Sequence, residues 1–383
     1  MAFPKKKDKD KSIPTISQSG DIQDIRGIIN DRFKASVAQE VKDRSTVIIP
    51  TGILSMDLAV GNGGLIAGRV MDIYGWEGTG KTLMCLTIGG YIQQCTKQDK
   101  NGKTVNRLVA FLDAEGTFDK KFASSAGLNT DNVILVQSND KKILSGEDYF
   151  DVICLLLGQG VDYIIIDSCP ALTPTQVMIN DTGQGQKATQ AQLMSGGLQK
   201  ITPLVNSNGQ TLVHFINQKR GRPMSQQWQS PETETGGNAL KFFSSYRFEV
   251  IHADDIIKQV LGADGVYRQK KVGVTSRVRI IKNKTCPIPS YLSGASYHFE
   301  FDVYFEPFKD ENGIEYHRGV DVVKDYCSVG VRCGVIKQTS SWFSFGSIKA
   351  NGEIALIQKI RENPSVMGEI RGEVFDKMGV KPV

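Results

Sequence analysis

The chain has 383 residues, of which 40% are hydrophobic and 23% charged, with a formal net charge of +5. These values are typical of a globular protein with one large domain and one or two small appendages. No apolar run approaches the roughly 20 residues that cross a bilayer, so we exclude an integral membrane protein and expect a cytoplasmic location. The seven cysteines contain no C-x-x-C pair, which favours reduced core thiols over disulfides or metal ligands.

The first 50 residues are predicted to lie outside the main domain. Residues 1–20 are charged and contain serine and proline, which predicts a disordered basic tail. Residues 21–50 begin with apolar side chains at helical spacing, including Ile22, Ile29 and Phe33, and are predicted to form a helical arm. One apolar stripe either docks on a neighbouring subunit or packs back on its own domain, and the residues alone leave both readings open.

Residues 75–82, with the sequence GWEGTGKT, match the phosphate-binding pattern G-x-x-x-x-G-K-T. The glycines allow backbone N–H groups to converge on one anion, Lys81 would contact the phosphates, and Thr82 would offer its hydroxyl to Mg²⁺. A β-prone run over 70–74 and a proline-free helix over 83–94 supply the context that the motif requires. The predicted nucleoside triphosphate positions are Gly75, Glu77, Gly78, Thr79, Gly80, Lys81, Thr82 and Leu83.

Strands and helices alternate after this motif. We predict strands over residues 107–112, 133–137, 162–167 and 211–216, and helices over residues 145–159 and 188–205. This alternation predicts a parallel α/β sheet whose ligand lies along the carboxyl edge of the strands.

Three polar residues near the ends of these strands are candidates for chemistry at that edge. Asp167 closes an apolar strand and would support the Mg²⁺ shell, although an acid in this position is otherwise often a helix cap. Glu115 is the candidate general base for the attacking water, the alternative being a surface ion pair. Gln218 could hydrogen-bond the γ-phosphate and begin the next loop.

Two long polar loops and one basic run are candidates for nucleic-acid binding. The loops cover residues 177–188 and 219–238 and combine basic side chains with glycines, which suits the backbone of a single strand, the alternative being plain surface loops. Residues 265–299 contain no Asp or Glu, and this run is either a nucleic-acid patch or a solvated face. Its seven cations are Arg268, Lys270, Lys271, Arg277, Arg279, Lys282 and Lys284.

The C-terminal third has a different pattern of predicted secondary structure. From residue 243 the segments are β-rich, with a bend predicted over residues 272–276, and from residue 352 the pattern is helical again. We therefore predict a core over residues 51–305 and a C-terminal lobe over residues 306–383.

Taken together, these residues resemble the RecA family of DNA strand-exchange recombinases from about residue 21 onward. The segments that carry the resemblance, in family order, are 51–57 (TGILSMD), 111–115 (FLDAE), 215–218 (FINQ), 231–242 (PETETGGNALKF) and 282–284 (KNK). The resemblance implies an α/β fold: a RecA-type P-loop ATPase core with a mostly parallel central sheet, an N-terminal helical oligomerisation arm and a small C-terminal α+β lobe.

The resemblance also implies a function. Members wrap helically on single-stranded DNA with ATP and Mg²⁺ between subunits, and they pair it with homologous double-stranded DNA in recombination and repair. Single-strand binding and loading proteins are further candidate partners. Within the same class, the alternatives are a hexameric helicase or another ATPase of this core. From a different class, the alternative is a single-stranded DNA-binding protein that uses ATP only structurally.

Residue roles follow from the same resemblance. Asp119 and Phe122 are expected at the adenine, Lys282 and Lys284 at the ATP of the adjacent subunit, and Gln218 between ATP and the second loop. The expected subunit-interface residues are Phe33, Lys241 and Phe242. The expected DNA-binding residues are Lys187, Arg220, Arg222, Gly236, Gly237 and Asn238.

The chain departs from the family pattern in several places. It is longer around residues 98–107 and 305–318, so the pattern does not decide whether Tyr316 or His317 lies across the adenine. Gln199 stands where an arginine facing DNA is expected. These departures fit a divergent bacterial member or one encoded by a bacteriophage, and the sequence does not choose between the two.

Overall fold

The structure, a computed structural model, describes residues 22–35, 46–99, 101–179, 186–221, 232–234, 238–262, 264–287 and 297–380. The chain divides into two compact units, Met1–Ser45 and Thr46–Val383. In the first unit the described segment is the helix α1 (Ile22–Phe33), and its Phe33 side chain is 64% exposed. No helix within the described ranges is long and apolar enough to span a membrane.

The helices of the second unit lie between and after the strands. They are α2 (Leu54–Ala59), α3 (Lys81–Gln94), α4 (Lys120–Ser125), α5 (Gly146–Gly158), α6 (Thr175–Ile179), α7 (Gln186–Asn208), α8 (Ala239–Phe243), α9 (Val322–Arg332), α10 (Glu353–Glu362) and α11 (Ser365–Met378). Short 3₁₀ turns occupy Thr130–Asn132 and Cys169–Ala171.

The strands fall into one large sheet and several small ones. They are β1 (Ile48–Ile49), β2 (Leu65–Ile66), β3 (Arg69–Gly75), β4 (Thr96–Gln98), β5 (Thr104–Asn106), β6 (Val109–Asp113), β7 (Val133–Gln137), β8 (Tyr163–Asp167), β9 (Leu212–Gly221), β10 (Glu232–Glu234), β11 (Tyr246–Leu261), β12 (Tyr267–Asn283), β13 (His298–Tyr304), β14 (Phe308–Lys309), β15 (Glu315–Tyr316), β16 (Gly319–Val320), β17 (Lys337–Thr339), β18 (Trp342–Phe345) and β19 (Ile348–Asn351).

The large sheet has ten strands in the order β16-β13-β12-β11-β3-β9-β8-β6-β7, with β10 added beside β9. The six strands from β11 to β7 are parallel, whereas β12, β13, β16 and β10 pair antiparallel. Runs such as Tyr163–Ile166 are fully buried, as expected for parallel strands covered on both faces. The mostly parallel sheet predicted from the sequence is therefore confirmed.

Helices cover both faces of the parallel strands. Successive side chains of a strand point to opposite faces of the sheet, so neighbouring residues pack against different helices. Ile165 packs with α3 residues such as Ile88 on one face. Ile164 and Ile166 pack on the other face with residues of α5 and α7, including Phe150. This three-layer arrangement brings the carboxyl ends of β3, β9, β8 and β6 to one edge.

The C-terminal helices form one apolar cluster with α2 and also contact this region through polar groups. The cluster includes Leu54 and Leu58 of α2 and residues of α9, α10, α11 and the β17–β19 sheet. The Arg371 Nη1 lies 2.6 Å from the Asp57 Oδ2, and its Nη2 donates to the Gly63 carbonyl at 2.8 Å. Helices α10 and α11 flank Asn363, as the helical pattern after residue 352 predicts.

The bend predicted over residues 272–276 is wrong, because β12 runs without interruption from Tyr267 to Asn283. Gly273 was the misleading signal. A Cβ at this position would lie 2.2 Å from the Val303 carbonyl oxygen, so glycine permits a close approach of β13 here and does not mark a turn. The chain reverses instead between Leu261 and Tyr267.

Both lengthened segments form hairpins. Strands β4 and β5 pair antiparallel and are fixed by Asp162, whose carboxylate lies 2.6 Å from the Lys97 Nζ and 2.7 Å from the Arg107 Nη1. Strands β14 and β15 form the second hairpin, in which the Tyr316 ring stacks on Phe308 with ring centroids 4.6 Å apart.

Candidate functional site

The phosphate-binding loop connects β3 to α3 at the carboxyl edge of the sheet. Gly75 needs to be glycine because a Cβ there would lie 2.2 Å from the Val250 carbonyl oxygen. Gly80, at the start of α3, has a φ of 86°, a conformation that other residues rarely adopt. Strand, loop and helix therefore occur in the order that the motif requires.

Lys81 is folded over this loop. Its ammonium donates to the Trp76 carbonyl oxygen at 2.6 Å, and the Thr79 hydroxyl donates to the same oxygen at 2.8 Å. Burial lowers the pKa of Lys81, and the charge of Asp167 counteracts that shift. A cation with this degree of burial interacts strongly with an anion that enters the loop.

Thr82 and Asp167 lie side by side, with the Thr82 hydroxyl donating to the Asp167 Oδ2 at 2.8 Å. Burial raises the pKa of Asp167 to about 6, and the charges of Glu115 and Asp113 add to the shift. A hydroxyl and a carboxylate are oxygen ligands of the kind that Mg²⁺ uses beside phosphate oxygens and water. These two residues therefore fit the metal that the motif implies.

Asp113, the last residue of β6, and Glu115, two residues further on, make different contacts. Asp113 accepts hydrogen bonds from the backbone N–H groups of Gly116 at 2.8 Å and Phe118 at 2.7 Å, so it fixes the loop. Glu115 is exposed and accepts a hydrogen bond from the Ser168 hydroxyl. The contact between Ser168 and Glu115 was missed by sequence reasoning, although Ser168 directly follows the motif aspartate.

Gln218 lies beside the phosphate loop because it is paired in register with Gly75 across β9 and β3. Its backbone N–H donates to the Asn217 Oδ1 at 2.9 Å. Asp113 is likewise in register with Asp167 across β6 and β8. Adjacent parallel strands thus bring the predicted base, metal ligand, phosphate loop and γ-phosphate sensor to one edge.

A continuous groove runs along this edge. One part, of about 280 Å³, is lined by the phosphate loop and Gln218, and the other part, of about 540 Å³, extends past α4. The two parts share the lining residues Thr82, Glu115, Phe122 and Asp167. The groove therefore has a phosphate end and a wider far end.

Asp119 lines the far end of the groove, where the resemblance expects adenine, and Phe122 lines both parts. Asp119 also caps α4, since its Oδ1 accepts a hydrogen bond from the Phe122 N–H at 2.5 Å. Tyr316 is buried in the β14–β15 hairpin, and neither Tyr316 nor His317 lines the groove in the described part of the chain. Phe305 and Arg318 line it instead, and the sequence pattern had identified neither.

The basic run of residues 265–299 is largely neutralised within the chain. Five of its seven cations form ion pairs, which are Arg268–Asp264, Lys270–Glu306, Lys271–Asp255, Arg277–Glu300 and Arg279–Glu249. Among the described residues, Lys282 and Lys284 have no carboxylate within 4.0 Å. The run is therefore not a continuous bare patch, and its unneutralised cations are concentrated at one end.

Lys282 is held by backbone oxygens. Its ammonium donates to the carbonyl oxygen of Lys241 at 2.5 Å and to that of Phe242 at 3.2 Å. Burial, followed by the charge of Lys284, lowers the pKa of Lys282 to about 8. The Phe242 side chain beside it is 72% exposed.

Comparison with known proteins is consistent with this geometry. A family model described as the RecA N-terminal domain matches residues 26–296. Protein RecA of Thermus thermophilus is 33% identical over 343 residues, covering 89% of this chain and 88% of the relative. Protein RecA of Psychrobacter arcticus is 34% identical over 338 residues, covering 87% and 83% respectively, and that of Cutibacterium acnes is 31% identical over 377 residues, covering 98% and 94%.

The chain belongs to the RecA family. It is therefore a DNA-dependent ATPase that acts in recombination and repair by strand exchange, and the predicted family, fold class and activity are confirmed. Membership also implies ATP binding, DNA binding and filament formation.

The residues expected at DNA are only partly described. Lys219 and Arg220 belong to β9, and this end of β9 pairs antiparallel with β10. Arg220 is exposed, whereas Lys219 forms an ion pair with the buried Glu249. Asn238 is the exposed cap residue of α8, and Lys187 lies in the first turn of α7. Arg222, Gly236 and Gly237 lie outside the described residues.

Proposed function

We propose that this chain hydrolyses ATP with Mg²⁺ in a site shared between two copies of itself, arranged as a helical filament on single-stranded DNA. The observation that carries the proposal is the groove at the sheet edge, which brings together Lys81, Thr82, Glu115, Asp167 and Gln218. Filament-bound DNA would then be paired with homologous double-stranded DNA.

Each residue of the groove has a distinct role. The backbone amides of the loop and Lys81 would hold the β- and γ-phosphates, and Thr82 and Asp167 would hold Mg²⁺. Mg²⁺ held by these two residues would supply positive charge that offsets the negative charge developing during hydrolysis. Glu115 would accept the proton of the attacking water, with the Ser168 hydroxyl fixing its orientation.

Lys282 and Lys284 would complete the site of the neighbouring copy. Lys282 is in register with Arg247, which is in register with Asp72, three residues before Gly75. At about 3.3 Å per residue this places Lys282 roughly 10 Å from the phosphate loop along the strands, and two strands away from it. Neither lysine lines the groove of its own chain in the described residues, which favours an action in trans.

The nucleotide and the DNA would communicate through β9. Gln218 lines the groove, and the next residues of the same strand form the root of the second loop. A movement of Gln218 toward the γ-phosphate would therefore shift Lys219 and Arg220 directly. We propose that Lys187, Arg220, Arg222, Gly236, Gly237 and Asn238 grip the DNA backbone and leave base edges free for pairing.

Electron microscopy tests this proposal directly. The protein is mixed with single-stranded DNA and a slowly hydrolysed ATP analogue, and we expect open helical filaments that lengthen with the DNA. Closed rings, together with unwinding of duplex DNA, would contradict the proposal and favour a hexameric helicase. If filaments form but a separate assay with ATP itself shows no DNA-stimulated hydrolysis, the result would favour a binding protein that uses ATP structurally.

A further inference from the structure

Arg318 lines the wider part of the groove and contacts both α4 and the residue that follows β13. Its Cζ lies 4.5 Å from the centroid of the Phe122 ring, and its Nη1 donates to the Ser125 hydroxyl at 2.8 Å, both contacts being with α4. Its Nε donates to the Phe305 carbonyl oxygen at 2.6 Å, immediately after β13. The guanidinium therefore links α4 to the segment that follows β13 at the edge of the groove.

Three other arginines in the described residues stack on aromatic rings, and they differ from Arg318 in one respect. Arg247 over Tyr74, Arg361 over Tyr316 and Arg371 over Phe375 each form an ion pair with an aspartate. Arg318 has no carboxylate within 4.0 Å among the described residues. Its positive charge is therefore not neutralised by the part of the chain that the structure describes.

Arg318 also has donors to spare. A guanidinium carries five N–H groups in one plane, and the hydrogen bonds to Ser125 and Phe305 use two of them. Within the described ranges, both N–H groups of the Nη2 have no acceptor. Because Arg318 lines the wider part of the groove and not the phosphate end, these donors are available to the nucleoside half of a bound nucleotide.

We propose that Arg318 is a specificity-determining residue that recognises the base of the nucleotide. Its free donors would bond a ring nitrogen of a purine, while the guanidinium holds the Phe122 ring as a stacking surface. The inference rests on the proposed function, since it requires ATP to lie in this groove. It assigns base selection to a residue within one of the two segments where the chain exceeds the family pattern.

Steady-state turnover of ATP and CTP with single-stranded DNA tests the proposal. In Arg318→Gln we expect the KM for ATP to rise about tenfold or more, the loss typical of one charge-assisted hydrogen bond, with kcat nearly unchanged. The KM for CTP should change little, so the preference for ATP should fall. An equal loss for both nucleotides, or no loss, would overturn the proposal.

Two control variants distinguish recognition of the base by Arg318 from a purely structural role of this residue. Arg361→Gln removes a stacked arginine that is paired with Asp321 away from the groove, so it should leave the preference for ATP intact. Arg318→Lys keeps a cation above Phe122 but loses the planar pair of donors, so it should lose the preference as well. If Arg318→Gln does not fold, the lysine variant decides the outcome.

The wild-type protein distinguishes the failure of this inference from failure of the proposed function. It should prefer ATP to CTP by at least about tenfold in kcat/KM. Absence of any DNA-stimulated turnover would refute the proposed function itself. Normal turnover without a preference for ATP would refute only the role of Arg318.

Discussion

Two charged regions of the molecule, the acidic edge of the parallel strands and the basic strand β12, differ in how their charges are balanced. At the edge, Asp113 is held by backbone N–H groups, and Glu115 and Asp167 by hydroxyl groups. On β12, most cations instead face carboxylates of other segments. The edge therefore keeps its negative charge available for a metal ion and for the attacking water, whereas, with respect to the described residues, the cations of β12 without an ion pair lie at its C-terminal end.

The comparison shows why a run of like charge in a sequence does not identify a binding surface. Residues 265–299 contain no acid, but strand pairing places Glu249 opposite Arg279 and Glu300 opposite Arg277. Lys282, and Lys284 just beyond the strand, form no such ion pair with the described residues. The two lysines that the family resemblance assigned to a neighbouring ATP are the two cations of this run that form no ion pair with the described residues.

The largest expected effect is at the acidic edge. Glu115→Gln should lower ATP turnover with single-stranded DNA by about 100-fold or more, because it removes the proposed general base while keeping the size of the side chain. ATP binding, measured by equilibrium titration, should be retained. Glu369→Gln, an exposed change on α11, is the matched control. Turnover that is unchanged in Glu115→Gln would show that another group activates the water.

A second variant tests the unneutralised end of β12. Lys282→Ala should reduce DNA-stimulated turnover about tenfold or more, because the ATP of the adjacent copy loses a cation, while the monomer still binds ATP. Arg277→Ala removes a cation already paired with Glu300 and should have a much smaller effect. Loss of ATP binding by the Lys282→Ala monomer would place Lys282 in its own site.

DNA binding tests whether positive charge outside β12 holds the strand. Replacing Arg220 and Arg222 by alanine should weaken single-strand binding and flatten the slope of log affinity against log salt by roughly 1.4, about 0.7 for each phosphate that the protein no longer neutralises. Replacing Arg268 and Lys270, which are paired with Asp264 and Glu306, should leave the slope nearly unchanged. If the slope flattened in the Arg268 and Lys270 variant but not in the Arg220 and Arg222 variant, the paired cations of β12 would be the ones that hold the DNA.

The lowered pKa of Lys282 predicts a pH dependence. The lysine is charged below its pKa of about 8 and becomes neutral above it, so filament assembly that requires the charged form must take up protons at higher pH. The protein concentration needed for DNA-stimulated turnover should therefore rise several-fold between about pH 7.5 and pH 9. Lys282→Arg, which stays charged, should flatten this rise, and an identical rise in both proteins would exclude Lys282 as its cause.

The smallest expected effects are on stability. Glu300→Gln should change the free energy of unfolding by less than about 1 kcal/mol, because both partners of the Arg277 pair are over one-third exposed. Glu249→Gln should cost more, about 2 kcal/mol, because Glu249 is buried and its replacement removes the ion pairs to both Lys219 and Arg279. Urea titration of both variants measures the difference, and equal values would show that burial does not distinguish the two pairs.

The acidic edge could be predicted from the sequence because each residue follows a recognisable strand. Parallel pairing then places consecutive strand ends together, which is why Asp167 and Gln218 lie near the phosphate loop. The ion pairs of β12 could not be predicted, because they depend on the register between strands far apart in the chain. Arg318 carried no local signal, and Gly273 carried a misleading one, since a glycine that permits close packing looks like a glycine in a turn.

The hairpin of β4 and β5 shows where this fold accommodates inserted residues. Asp162 is completely buried and is bonded to Lys97, Arg107 and the Leu108 N–H, immediately before β8 begins. The added residues are thus fastened at the amino-terminal side of the sheet, at the opposite end of the strands from the groove. Changes in length at the tip, around Asn101 and Gly102, leave the catalytic edge in place, so the tip is a suitable point for attaching a fluorescent label that reports on assembly.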